Sequence, residues 1–276
     1  AAAEYLEGLV VENEDLSIVV AQHLLDAVDA SSPGDDDGET LTDRACAHLE
    51  RAAQRAAALA APTEAVRLYR AALEHADEPA TQGRLHLAAA RAANVAGDYP
   101  AAVEHASQSA AAFDAIDAEI DAGMAVGLQC IYMVRGSTIA GAIDVARPRW
   151  DALVTQTGAE RALVQLAAGL SMALQDRGEL EEAFDFGQRQ LMLAEATGDQ
   201  ESVAYALNAL GLLYGIRGAP ITSRGLTTLA AQIAKENDLT VILALALNNL
   251  GSMLVSRDLP AAIRVVQEGL EVARRA

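Results

Sequence analysis

Two stretches forty residues apart constrain this chain more than anything else in it. Ala206-Leu207-Asn208-Ala209-Leu210-Gly211-Leu212-Leu213-Tyr214-Gly215-Ile216-Arg217-Gly218 returns as Ala246-Leu247-Asn248-Asn249-Leu250-Gly251-Ser252-Met253-Leu254-Val255-Ser256-Arg257-Asp258. Both are apolar at helical spacing, both carry Gly at the same point, and both reach Arg just before a turn former. Self-similarity at a fixed period of this size is the mark of stacked repeats. Stepping backwards from Gly251 and Gly211, the small residue lands on Ser171, Cys130, Ala90 and Ala53, at intervals of 37, 40, 41, 40 and 40 read forward. Twelve residues after each lies a second small residue: Ala65, Ala102, Ala142, Ala183 and Ser223. In the last copy the matching Ala262 comes 11 residues after Gly251, so that turn is one residue shorter or the register slips.

Close helix packing explains paired columns of this kind. Antiparallel helices approach to roughly 8–10 Å, and the side chains at the crossing set the distance. Twelve residues leave two helical turns on either side of a short loop. Gly97-Asp98, Gly178-Glu179, Gly218 and Asp258 fall between the columns, where the chain must reverse. The expected fold is all-α: a right-handed solenoid of about six helix–turn–helix units with a period near 40. The units run roughly 41–78, 80–114, 117–156, 159–197, 200–237 and 239–275. Pro148 is expected to kink or shorten the helix that carries Trp150.

Residues 1–40 precede the regular array. Asn13 or Asp15 is placed to cap a helix with Leu16, Val19, Val20, His23, Leu24 and Val28 on one face. Residues 31–40, Ser-Ser-Pro-Gly-Asp-Asp-Asp-Gly-Glu-Thr, read as an acidic linker with nothing to bury. Asp35-Asp36-Asp37 is not a calcium loop, whose ligands alternate and end in a spaced Glu. The chain opens on Ala1-Ala2-Ala3-Glu4 and closes on Arg274-Arg275-Ala276, and both ends are read as cuts within a larger protein.

The repeats carry a family resemblance. Leu210-Gly211 with Tyr214 three residues on, then Gly218, is similar to the first half of a tetratricopeptide repeat. Gly97-Asp98-Tyr99-Pro100-Ala101-Ala102 and Gly178-Glu179-Leu180-Glu181-Glu182-Ala183 resemble its turn and second helix. The chain departs from that pattern in its period, near 40 rather than 34, and in lacking most of the expected Trp and terminal Pro. Longer units of this kind resemble the tetratricopeptide-like arrays of bacterial multidomain signalling proteins. The run from Ala52 to Leu73 resembles the start of the array that follows the ATPase module in adenylate/guanylate cyclases carrying an AAA-type ATPase, and in LuxR-type or STAND regulators. The resemblance covers about residues 15–276. It implies a non-catalytic interaction or sensory module, whose parent would hold any cyclase or ATPase domain outside these residues.

Composition narrows the partners. Net charge is −19, and Lys235 is the only lysine. Such a surface repels nucleic acid and anionic lipid and favours a neutral or basic protein or peptide. Cys46 and Cys130 are far apart, with no metal or disulfide spacing, which fits a reduced, cytoplasmic protein. No catalytic motif is present: no Gly-Lys-Ser/Thr, no G-x-G-x-x-G, no H-E-x-x-H among five histidines, no Gly-x-Ser-x-Gly. No cofactor or metal site is expected.

What remains is a surface. First helices of stacked pairs line the concave side, at positions about 3 before and 1 and 4 after the small residue. These are Leu87, Arg91 and Asn94; Gly127, Ile131 and Val134; Ala168, Met172 and Gln175; Asn208, Leu212 and Gly215, with Tyr205 a turn earlier; and Asn248, Ser252 and Val255. The groove candidates are Asn94, Met172, Gln175, Tyr205, Asn208, Leu212, Asn248 and Ser252. An amide both donates and accepts, which suits binding to the backbone of a peptide. The alternative is that the Asn residues satisfy neighbouring helices and the apolar ones are core. Leu239–Val255 is apolar nearly all round and is expected to be buried all round, either by a further repeat or by self-association through the C-terminal repeat. A small-molecule sensor, with ligand held between the first helices of units three to five, is the second functional expectation.

Overall fold

The computed structural model describes residues 16–29 and 36–275. Among the described residues there are thirteen α-helices and no strand. They are α1 (Ser17–Asp29), α2 (Asp36–Ala58), α3 (Pro62–Leu73), α4 (Pro79–Val95), α5 (Tyr99–Asp114), α6 (Glu119–Arg135), α7 (Ala142–Leu153), α8 (Glu160–Arg177), α9 (Leu180–Thr197), α10 (Gln200–Ile216), α11 (Pro220–Glu236), α12 (Thr240–Leu254) and α13 (Leu259–Arg275). After α1 they fall into six successive pairs, as the period predicts. The chain divides into two compact units, residues 1–125 and 126–276.

Every member of both small-residue columns is buried. Ala53, Ala90, Cys130, Ala65, Ala102, Ala142 and Ala183 are fully enclosed, and Ser171, Ser223 and Ala262 nearly so. A methyl group gains less than about 1 kcal/mol on burial. The columns therefore matter for the approach they permit. In the second unit the first column meets the backbone of the second: Ser171 Oγ donates to the Ala183 carbonyl at 2.9 Å. A Cβ built on Gly211 would stand 3.1 Å from the Ser223 carbonyl, and one on Gly251 3.4 Å from that of Ala262. Ala262 thus keeps the crossing register, and the turn before it is the shorter one: among residues 255–258 no residue has positive φ, whereas Gly218 takes φ 78°.

The turns follow from the punctuation. Gly97, Gly178, Gly198 and Gly218 all adopt the left-handed conformation that only Gly takes without strain. Asp98, Asp199 and Asp258 then cap the next helix: Asp98 Oδ1 accepts from the Ala101 amide at 3.1 Å and Asp258 Oδ1 from that of Ala261 at 2.9 Å. Pro148 lies inside α7, which spans 12 residues against 18 for α9.

Two expectations are corrected. Helix α2 begins at Asp36, so part of the acidic run read as linker is helical. Residues 31–35, like Asn13, Asp15 and the chain ends, lie outside the described residues. On α1 the buried face is Ser17, Val20, Ala21 and Leu24, packed with Leu41 and Ala45, while Val19 and His23 point outward. Helix α12, expected to be covered by a further repeat or a second copy, has in the single chain Ile242, Ala246, Leu247 and Gly251 buried and Val241 65% and Leu245 39% exposed.

Candidate functional site

Within the second unit, the part of α6 from Val126 onward and α8 approach one another through glycine. A Cβ on Gly127 of α6 would lie 2.7 Å from the Leu166 amide nitrogen of α8. One on Gly169 of α8 would lie 2.8 Å from the Cys130 Cβ and 3.1 Å from the Gly127 carbonyl. Cys130 therefore packs against the next first helix. Burial pushes its thiol pKa up to about 12, so it is packing rather than a nucleophile. Both cysteines are free and buried.

Side chains one and two repeats apart meet along these helices. Arg135 Nη2 of α6 donates to the Tyr205 hydroxyl of α10 at 3.3 Å. That hydroxyl in turn donates to Met172 Sδ of α8 at 3.4 Å. Tyr205 and Met172 are half-buried, so the cluster reaches the surface at one edge. On the next pair, Asn249 Nδ2 of α12 donates to Asn208 Oδ1 of α10 at 3.0 Å. Asn208 is only 7% exposed. The two amides stitch adjacent first helices, which is the neighbour-satisfying alternative for this residue.

The other candidates separate by exposure. Asn248 and Ser252 are exposed on α12, and Ser252 Oγ donates to the Asn248 carbonyl one turn back at 3.0 Å. Gln175 and Leu212 are half-buried on α8 and α10. Asn94 is half-buried in the last turn of α4, in the first unit, where its carbonyl accepts from the Gly97 amide at 3.1 Å. Ile131, Val134 and Ala168, expected to line the groove, are buried core, as is Gly127.

The sequence reading missed two things. Arg135 brings a cation to the Tyr205 edge; its signal was its place, five residues after Cys130. On α12 and at its C-cap, Val241 and Leu245, which were not foreseen, join the expected Asn248, Ser252 and Val255 at steps of 4, 3, 4 and 3, and all five are exposed. Residues at such steps share one face. The α12 face thus presents three aliphatic side chains with an amide and a hydroxyl between them, and no charge. That arrangement can bury apolar side chains and hydrogen-bond a backbone; these five residues include no titratable acid or base. Among the described residues no cluster of three or more His, Cys, Asp or Glu is placed to hold a metal, and no helix is long and apolar enough to cross a membrane.

Comparison with known proteins rests on structure. No family model matches the chain, and no curated protein matches it in sequence. Among solved structures it is similar to a Rap protein complexed with competence and sporulation factor, with a TM-score of 0.69 at 13% identity, covering 99% of this chain and 75% of that one. It is similar to BtubC from P. vanneervenii, with a TM-score of 0.59 at 13% identity over 82% of this chain and 92% of that one. It is also similar to the Cut9–Hcn1 hetero-tetramer of the APC/C, with a TM-score of 0.53 at 11% identity, covering 97% of this chain and 48% of that one. The fold is a tetratricopeptide-like array of helix pairs.

Proposed function

We propose that the chain is a non-catalytic binding module of a bacterial signalling or regulatory protein, and that it takes a protein or peptide partner along its first helices. One observation carries the reading: the uncharged, exposed stripe of Val241, Leu245, Asn248, Ser252 and Val255 on α12. Surface helices normally turn polar side chains to water, so an aliphatic stripe interleaved with backbone-binding groups is suited to a partner chain. The similarity to a Rap protein whose structure holds a bound factor supports the same use of the fold. A net charge of −19 selects for a neutral or basic partner. A cyclase, ATPase or DNA-binding domain of the parent would lie outside these residues, and a reducing cytoplasm suits two free, buried thiols.

The test is selection from a random peptide library on the whole chain, followed by affinity measurement with Leu245→Asp and Asn248→Asp variants. The expected result is a family of neutral-to-basic peptides whose affinity falls at least tenfold in either variant. Peptides that bind both variants as tightly as the parent chain would place recognition elsewhere.

The cluster of Arg135, Met172 and Tyr205 favours a second reading, a small-molecule sensor in a STAND or LuxR-type regulator. Three first helices meet there through polar and polarizable groups. A metabolite that raises the melting temperature of the chain but not of Tyr205→Ala, with no peptide recovered, would select this reading over the first. Self-association through the last repeat has its own surface: Leu259, Ile263, Val266 and Leu270 lie at steps of 4, 3 and 4 on α13 and are 41–56% exposed. Sedimentation would show it as a concentration-dependent dimer abolished by Ile263→Glu.

A further inference from the structure

All five histidines of the chain, His23, His48, His75, His86 and His105, lie in its first 105 residues. Two of them face each other between helices. His86 of α4 and His105 of α5 bring their Nδ1 atoms to 2.9 Å, with ring centroids 5.2 Å apart. On the opposite edge of His105, Arg70 Nε of α3 stands 3.2 Å from Nε2. A guanidinium only donates. His105 Nε2 must therefore accept, so the neutral ring carries its proton on Nδ1, and that N–H donates to His86 Nδ1. His86 then carries its own proton on Nε2. Three helices are joined by one directed chain, Arg70 to His105 to His86, and a single placement of protons closes it.

We propose that Arg70, His105 and His86 form a proton-operated latch across α3, α4 and α5, closed while both imidazoles are neutral and opened when either takes up a proton. A proton on His105 Nε2 sets an N–H against the guanidinium N–H. A proton on His86 Nδ1 sets two N–H groups against each other at 2.9 Å. Every charged group facing His105 takes a side: Arg70 from α3 and His86 from α4 oppose its protonation, while Glu104 on α5 and Asp98 at the start of α5 favour it. Burial outweighs them all and pushes the His105 pKa from 6.5 down to about 4, with the His86 and Arg70 charges acting the same way. Burial also lowers the pKa of His86 against the pull of Glu104. His105 is 7% exposed, so water cannot replace the lost bonds while the helices stay packed. Relief comes from parting α4 and α5. Their seam also holds Ser109 Oγ donating to the Gly83 carbonyl at 2.8 Å and the Phe113 ring against Gly83. Gly83 is one turn from His86, and Ser109 one turn from His105. Opening the latch therefore loosens that seam and exposes Phe113.

The test uses the whole chain. Long-range proton–nitrogen spectra of the imidazoles at pH 7.5 should show His105 as the Nδ1–H tautomer and His86 as the Nε2–H tautomer; His105 should titrate well below pH 6.5 and His86 below it. Hydrogen exchange, corrected for intrinsic rates, should show the opening constant of α4 and α5 rising on the order of twentyfold between pH 7 and pH 5. Amides of α8 to α11, an internal reference in a unit without histidine, should change less than threefold. In the His86→Gln/His105→Gln double variant the pH response of α4 and α5 should flatten. His105 titrating near 6.5, the other tautomer, or an unchanged pH response in the double variant would each overturn the latch. Should that variant not fold, the tautomers and titration of the parent chain decide alone.

Discussion

The two units of this chain close their seams in different ways. In residues 1–125 helices are tied by side chains that titrate or carry charge: Arg70 to His105, His105 to His86, and Arg84 of α4 to Glu50 of α2. In residues 126–276 no histidine exists, and α6 and α8 approach until backbone nearly meets backbone, at Gly127 against Leu166 and Gly169 against the Gly127 carbonyl. The first unit has an inter-helix seam built on imidazoles, which solution pH can change; the second has ion pairs such as Arg147–Glu182 but no imidazole, and its closest helix contact is one of shape. A repeat period therefore specifies where helices cross without specifying what the crossing is made of.

The sharpest way to break this contrast is to add one methyl group to each unit. Gly127→Ala puts a Cβ 2.7 Å from a main-chain nitrogen and 2.8 Å from the Gln165 carbonyl carbon, neither of which can move without displacing α8. The expected cost is about 3 kcal/mol or more, in the range of severe overpacking. Gly83→Ala meets the Phe113 ring at 2.9 Å, a side chain that can rotate, and should cost about 1–2 kcal/mol. Urea unfolding of both variants measures the difference. Equal losses would mean that the second unit is no more tightly constrained than the first.

The next effect comes from acid. A histidine whose folded pKa lies below its unfolded value binds fewer protons when folded. Its contribution is fully present above pH 6.5, declines as the pH falls toward about 4, and changes no further below that. For His105 the shift corresponds to about 3 kcal/mol across that window. Thermal unfolding of the parent chain should accordingly lose its first-unit transition between pH 6.5 and 4.5, while His105→Gln should show a shallower dependence. A parent chain and variant with parallel pH profiles would remove the titratable half of the contrast.

A smaller effect tests how much the amide pair of the second unit contributes. Asn249→Ala leaves Asn208 Oδ1 buried without its donor and should cost about 1–2 kcal/mol. Asn248→Ala, one residue away and exposed, should stay within about 0.5 kcal/mol. The reversed order would show that the exposed amide, not the buried one, holds α12 in place.

These residues also mark how far the sequence could be read. The columns from Ala53 to Gly251 and from Ala65 to Ala262 were legible because a crossing tolerates only small side chains, so the constraint is written in residue size at a fixed spacing. The turns at Gly97, Gly178 and Gly218 were legible because positive φ selects Gly. Side-chain pairings across helices were not: Arg135, Met172 and Tyr205 meet through rotamers and the offset between successive pairs, which period alone leaves open. Asn208 and Asn248 occupy equivalent places in the repeat, yet one is buried and the other exposed, because Asn208 has α12 beside it. The pattern of a single helix cannot carry that distinction.

The smallest effect concerns turns that broke the glycine rule. Ala60 in the first unit and Asp238 in the second both hold positive φ, 55° and 56°, where other turns of the array place Gly. An L-residue there carries a conformational cost of about 1 kcal/mol. Both are exposed, so nothing else constrains them. Ala60→Gly and Asp238→Gly should each stabilise their own unit by about 0.5–1 kcal/mol, and by similar amounts, because backbone strain does not depend on what closes the seams. Asp238→Gly also removes one negative charge from a chain at −19. Asp238→Asn separates the two causes, since Asn tolerates the left-handed region while losing the charge. If Asn recovers most of the gain and salt abolishes it, charge is responsible; if Gly exceeds Asn at high salt, the strain is conformational. Gly178→Ala supplies the mirror experiment: nothing lies within 4 Å of a Cβ there, so its expected loss of about 1 kcal/mol is backbone strain alone.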